Sequence, residues 1–108
     1  MTSTIVTPKP REKEETKAKR QPPYNVILHN DDDHSFEYVI GMLQKLFGFP
    51  PEKGMQHAKE VHEQSRTILL TTTKEHAELK QEQIHAFGPD KMIARCKGSM
   101  SSTIEPAA

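Results

Sequence analysis

Apolar side chains are sparse over the first 23 positions and then concentrate in patterned segments. Tyr24-Asn25-Val26-Ile27-Leu28-His29 is a continuous run with a β-branched and aromatic bias, entered from Pro22-Pro23 and stopped by Asn30-Asp31-Asp32-Asp33, and it predicts a buried strand. Phe36, Val39, Ile40, Leu43, Leu46 and Phe47 then recur at the spacing of a helix face. Ser35 stands where an N-cap belongs and Asp31 to Asp33 lie near the positive end of the helix dipole, so a first helix is expected over about 35–47. Gly48 suits the left-handed position that ends a helix, Phe49 packs back, and Pro50-Pro51-Glu52 opens a second helix reaching about residue 64. Arg66-Thr67-Ile68-Leu69-Leu70-Thr71-Thr72 is again β-branched and apolar and predicts a second strand. The good helix formers of 74–87 predict a third helix, closed by Gly88-Pro89. After a linking stretch at 90–98, the modest alternation over 100–105 predicts a short third strand. The order is β-α-α-β-α-β, an α+β outline without an internal repeat.

Composition limits what such a domain does. A chain of 108 residues, 33% of them hydrophobic, suits one small domain and excludes a large enzyme scaffold. No apolar run reaches half of the roughly 20 residues of a spanning helix, and the chain start lacks the apolar stretch of a secretory signal, so a soluble, cytoplasmic protein is expected. Cys96 is the single cysteine, so neither an internal disulfide nor a CxxC pair is available. The formal net charge of zero argues against a nucleic-acid binder that works through clustered Lys and Arg. That zero divides unevenly. Residues 1–23 hold six basic side chains against three acidic, with four prolines and no aromatic ring before Tyr24, whereas the remainder holds nine basic against twelve acidic. The first segment has too little apolar surface to offset the entropy of ordering, and 1–23 is expected to be a disordered N-terminal extension preceding a folded domain at 24–108.

Metal and catalytic chemistry find no constellation. Three consecutive aspartates offer hard oxygen ligands, but the sixth and twelfth residues from Asp31 are Phe36 and Met42, where an EF-hand loop needs Gly and Glu. Among six histidines the closest pairs, His29/His34 and His57/His62, are each five apart. Five residues turn a helix by roughly 500°, which leaves His57 and His62 about 140° apart and unable to share a metal. Val61-His62-Glu63 lacks the second histidine of HExxH, and no GxSxG, Walker loop or GxGxxG occurs. No catalytic residue, metal or cofactor is therefore expected, and the histidines are expected to be scattered over the surface.

Two junctions say more. Asn30-Asp31-Asp32 directly after the strand, Tyr38-Val39-Ile40 with Leu43-Gln44 in the next helix, and Glu60-Val61-His62 near the end of the second helix closely resemble ClpS, a family of adaptors that carry N-degron substrates to a Clp AAA+ protease. The resemblance spans about 22–105. It implies a three-stranded antiparallel sheet packed against three helices, and no catalytic activity. It further implies that Asn30, Asp31 and His62 hold the free α-amino group of a substrate. Asp32, His34, Phe36, Val39, Ala58, Val61 and Met100 match the family's pocket for a large hydrophobic first side chain. The chemistry is coherent by itself, because an ammonium offers three donors and a carboxylate, an amide oxygen and a neutral imidazole nitrogen accept them.

Two departures from the family pattern bear on specificity. Phe36 and Ala58 stand where family members typically carry Met, one larger and one smaller, which is expected to move the cavity at roughly conserved volume. His34 stands where Thr is common, which puts one hydrogen bond to the incoming peptide in question. Glu75 and Lys80 match positions that dock on the N-terminal domain of a Clp unfoldase, and the basic segment matches the family's N-terminal extension. The stretch at 87–98 is longer than in shorter relatives, and a monomer suffices for the implied role.

The same residues have plainer roles open to them. Phe36, Val39 and Val61 suit an ordinary core, His62 a partly buried helix residue bonded within the domain, and Glu75 and Lys80 a solvated helix face. The outline also resembles the C-terminal domain of the ribosomal stalk protein, a non-catalytic interaction module, for which Asn30, Asp31 and His62 have no required role.

Overall fold

The computed structural model describes residues 22–31, 33–91, 93 and 98–107. The expected disordered extension therefore lies outside the described residues, apart from Pro22 and Pro23, as do Asp32 and Cys96. Among the described residues six elements follow one another: β1 (Tyr24–His29), α1 (Phe36–Phe47), α2 (Pro51–Gln64), β2 (Arg66–Thr72), α3 (Lys74–His85) and β3 (Ser102–Pro106). The strands form one antiparallel sheet in the order β2-β1-β3. Among the described residues, no helix is long and apolar enough to cross a membrane.

Val26, Ile27 and Leu28 of β1 are fully buried. Val26 and Leu28 join Leu69, Val39, Met42, Leu43, Ala58, Val61, Ala77, Ile84 and Met100 in one core, so the helices pack on the face that these alternate strand residues share. Ile27 alternates to the other side, between its register partners Ile68 and Thr103. The register with β2 shifts between Val26 and Ile27, which leaves Leu69 as the extra residue of a bulge.

Local chemistry fixes most boundaries. The Ser35 hydroxyl accepts the Tyr38 N–H at 3.1 Å and opens α1. Gly48 closes it at φ 72°, where its N–H returns to the Gln44 carbonyl at 3.0 Å. Pro51 sits in the first turn of α2, where its missing N–H has no cost. Gly54 sets how closely the two helices cross, since a Cβ there would lie 3.3 Å from the Ile40 Cα.

Two expectations are corrected at the C-terminal end. Helix α3 ends at His85 and not at 87, because after the last helical bond, Ala86 N–H to the Glu82 carbonyl, the Phe87 N–H tightens onto the Ile84 carbonyl three residues back and Gly88 turns away at φ 105°. Strand β3 runs Ser102–Pro106, not 100–105. Its register is set by pairing of Val26 with Ile104 and Leu28 with Ser102, and as an edge strand it accommodates Pro106 opposite Tyr24. Met100 instead enters the core at 1% exposure.

The expectation of scattered surface histidines is corrected as well. The His34 side chain is 3% exposed, and His57 is partly buried against Phe49, its ring stacked at 5.4 Å. Thr67, itself buried, donates its hydroxyl proton to Glu60, so His57 Nδ1–H donates to Thr67 Oγ1 at 2.8 Å. Burial lowers the His57 pKa from its usual 6.5, Glu60 opposes the fall and Lys53 adds to it.

Two predictions follow for stability. Gly54→Val drives a branched side chain into the Ile40 backbone and is expected to lower the unfolding free energy by about 1–3 kcal/mol; an unchanged urea midpoint would show that α1 and α2 are free to separate. For His57, the unfolded ring takes up a proton as the pH falls through 6.5 while the folded ring stays neutral. The unfolded state then binds more protons, so stability drops with acidification across that window and is retained above it. His57→Gln is expected to show a shallower loss between about pH 7 and pH 5.5, and equal slopes for the two proteins would count against this assignment.

Candidate functional site

The chain leaves β1 at Asn30, whose N–H donates to the Ser65 carbonyl at 3.0 Å. Ser65 is the C-cap of α2 and holds φ 74°, a left-handed turn that aims this carbonyl at the loop. One turn thereby joins the end of β1 to the end of α2, and brings Asn30 and Asp31 beside His62. The loop folds on itself next, with Asp31 Oδ1 accepting both the Asp33 N–H at 2.9 Å and His34 Nδ1 at 2.7 Å.

Between α1, α2 and this loop lies a cavity of about 190 Å³. Its apolar lining comes from Phe36 and Val39 of α1, Ala58 and Val61 of α2, and Met100 ahead of β3. Val39, Ala58, Val61 and Met100 are at most 3% exposed, while the Phe36 ring stands edge-on to His62 at 5.5 Å between centroids. Asn30, Asp31, His34, Ser35 and His62 supply the polar lining. Nine of the ten expected pocket residues thus line one cavity, and the tenth, Asp32, lies outside the described residues. Core packing and cavity lining are not exclusive here, since Val39, Ala58, Val61 and Met100 do both.

The arrangement offers a small apolar well with hydrogen-bonding groups gathered on it. Asp31 keeps 37% of its side chain exposed, and His62 is exposed. Among the described residues the Asn30 amide and the His62 ring nitrogens have no hydrogen-bond partner, so both remain available to an entering molecule. A ligand with an apolar end and an ammonium next to it matches this order of surfaces. A larger concavity, about 700 Å³, runs between α2 and β2, but Gln56, Lys59, Glu60, Glu63, Gln64 and Arg66 make it a polar surface trough. Among the described residues, no three His, Cys, Asp or Glu side chains come close enough to hold a metal ion.

The two residues expected to dock a partner lie on α3, away from the cavity lining. Glu75 is exposed in its first turn. Lys80 is partly buried, its ammonium donating to the Leu46 carbonyl at 2.5 Å and lying 5.1 Å from the Phe47 ring, so it is not a solvated face residue.

Four residues of the cavity and its backing escaped the sequence reading. Ser35 lines it, and its N–H donates to Asp90 Oδ2 at 2.6 Å. Asp90 is 4% exposed and places a carboxylate at the start of α1. The Gly98 carbonyl receives His34 Nε2 at 2.8 Å, and the Ser99 hydroxyl accepts the Gly88 N–H at 2.6 Å. Asp90 and Gly98, both within the stretch expected to be a long insertion, therefore brace the loop that carries Asp31. Gly88-Pro89 marks the end of the third helix in the sequence, but nothing local announces that Asp90 has a partner 55 positions away.

Comparison with known proteins agrees with this geometry. Residues 19–92 match the family model described as ATP-dependent Clp protease adaptor protein ClpS. The Clp protease adapter ClpS of Vibrio atlanticus is 37% identical over 79 residues, covering 73% of this chain and 74% of that protein. The corresponding protein of Pectobacterium carotovorum is 41% identical over 73 residues, covering 66% and 69%. A structure of Agrobacterium tumefaciens ClpS2 bound to L-phenylalaninamide superimposes with a TM-score of 0.69 at 24% identity, over 81% of this chain and 99% of that one, which supports the fold. The chain belongs to the ClpS family of adaptors of the ATP-dependent Clp protease.

Proposed function

We propose that the cavity holds the first residue of a protein whose α-amino group is free and whose first side chain is large and hydrophobic, and that this adaptor hands such N-degron substrates to a Clp AAA+ unfoldase. The observation that carries the reading is the meeting of an apolar well with Asn30, Asp31 and His62 at one cavity. Asp31 supplies the charge, Asn30 an acceptor and an NH₂ for the substrate backbone, and His62 an acceptor while its ring is neutral. The phenylalaninamide bound by the Agrobacterium relative is a small molecule of this kind, an amino acid amide with an aromatic side chain.

The remaining parts of the role are proposed on the same basis. The chain acts without catalysis of its own, as a monomer with 24–108 as the adaptor domain and 1–23 as an extension engaged during hand-over. Glu75, and α3 as braced by Lys80, form the face offered to the unfoldase's N-terminal domain.

A titration of peptides beginning with Leu, Phe, Val and N-acetyl-Leu tests the reading. Free Leu and Phe are expected to bind, and acetylation, which removes the charge paired with Asp31, is expected to abolish binding. Asp31→Asn is expected to weaken the free-amine peptides on the order of 10- to 100-fold, the range of a hydrogen bond to a charged group. Equal affinity for the free and acetylated ends would overturn the amine site. Specificity has its own check in Phe36→Met across a panel of first residues. Because the Phe36 ring stands against His62 at the cavity, that change is expected to alter the ranking among Leu, Phe, Tyr and Trp, and an identical ranking would remove Phe36 from the selection.

A further inference from the structure

His34 contributes a second side chain able to carry positive charge beside the proposed amine site, and the role above makes no use of that. Its side chain is almost wholly buried, at 3% exposure. Nδ1 lies 2.7 Å from Asp31 Oδ1 and Nε2 lies 2.8 Å from the Gly98 carbonyl oxygen. A carbonyl accepts and does not donate, and an ionised carboxylate does the same. A neutral imidazole carries one N–H, so either tautomer leaves one of these short contacts with lone pairs opposed. Only the doubly protonated ring donates to both partners. Among the described residues, the other titratable or charged groups around it are Asp33, its chain neighbour, Asp90 on the Ser35 N–H, Tyr38, whose ring packs at 4.5 Å, and His62 across the cavity.

We propose that a substrate's α-amino group and the second ring proton of His34 compete for the Asp31 carboxylate, so that seating a free amine expels a proton and acidification discharges the site. This rests on the amine-site reading given above. Asp31 Oδ1 is already taken by the Asp33 N–H and by His34. An ammonium arriving at the same carboxylate sets two positive charges within a few ångströms in a partly buried place, where screening by water is weak. Loss of the Nδ1 proton to the buffer relieves that repulsion. The ring keeps its Nε2–H on the Gly98 carbonyl, its bare Nδ1 turns to accept an N–H of the ammonium, and the carboxylate exchanges an imidazolium for an ammonium. The net change is one peptide bound and up to one proton released. Binding and proton release are linked, so a full proton costs about tenfold in affinity for each pH unit lowered. His34 is in this sense a positioning residue: it acts through Asp31.

Calorimetry on the full chain with a Phe-starting peptide near pH 6.5, in two buffers of different ionisation enthalpy, counts the protons. His62 also loses its acceptor on protonation, so the comparison is made in His62→Gln, whose amide oxygen still accepts, against the double variant His34→Asn/His62→Gln, which keeps a donor near Nδ1 but has no proton to give. Release of a substantial fraction of a proton is expected from the first and none from the second, and the double variant is expected to lose about three- to tenfold less affinity between pH 7.5 and pH 5.5. Imidazole ¹⁵N spectra of the wild-type chain read the same event directly, with saturating peptide converting the His34 ring from two N–H groups to one. Equal proton release from both variants, or a His34 ring unchanged on saturation, overturns the competition. Failure of the wild type to distinguish free from acetylated peptide is a separate result, and it removes the amine site together with this inference.

Discussion

Strand β1 is hydrogen-bonded along both edges and buried through its middle, and the position of the site follows from where that strand leaves the sheet. With β2 and β3 satisfying its backbone, the first unsatisfied N–H past the strand is that of Asn30, and the Ser65 carbonyl takes it. The same contact fixes the end of α2. Two segments more than 30 positions apart in sequence are thereby pinned at one point, with Asn30 and Asp31 on one side and His62 on the other. The volume behind them is set elsewhere, where Gly54 lets α2 approach the Ile40 backbone. A polar rim and an apolar well thus have separate structural origins, and they meet where the Phe36 ring stands against His62.

What was legible in the sequence is what local chemistry decides. Ser35, Gly48, Pro51 and the break after His29 each carry their own signal, and β1, α1, α2 and β2 came out with boundaries within a residue or so. Helix α3 was over-extended because Ala86 and Phe87 tolerate a helix well, and the turn that stops them is made by backbone bonds and Gly88. Strand β3 was placed too early because its weak alternation does not define a register, which comes from β1. No periodicity connects Asn30, Asp31 and His62. Their association was legible only as a family pattern, and the structure brings them together through the Ser65 contact. His34 was legible as a pocket residue but not as a buried one, and Asp90 and Gly98 were opaque for a simpler reason. The partners of Asp90 and Gly98, Ser35 and His34, lie 55 and 64 positions away, and a buried histidine has the same letter as a surface one.

The three aspartates after β1 invite the view that they serve the start of α1. The geometry divides that labour differently. Asp90, arriving from beyond α3, takes the Ser35 N–H and puts the buried carboxylate at the positive end of the helix. Asp31 is thereby released from capping and spends one oxygen on its own turn and on His34, while part of its side chain stays open to solvent. A carboxylate tied fully into a helix start would be rigid but spent, and one left loose on a loop would lose entropy whenever it met a ligand. Held through a single oxygen, Asp31 is positioned in advance and still has an acceptor to offer. The acidic surplus of residues 24–108 gives a favourable field for an approaching ammonium. Affinity within that field, however, falls to how tightly His34 holds the same carboxylate.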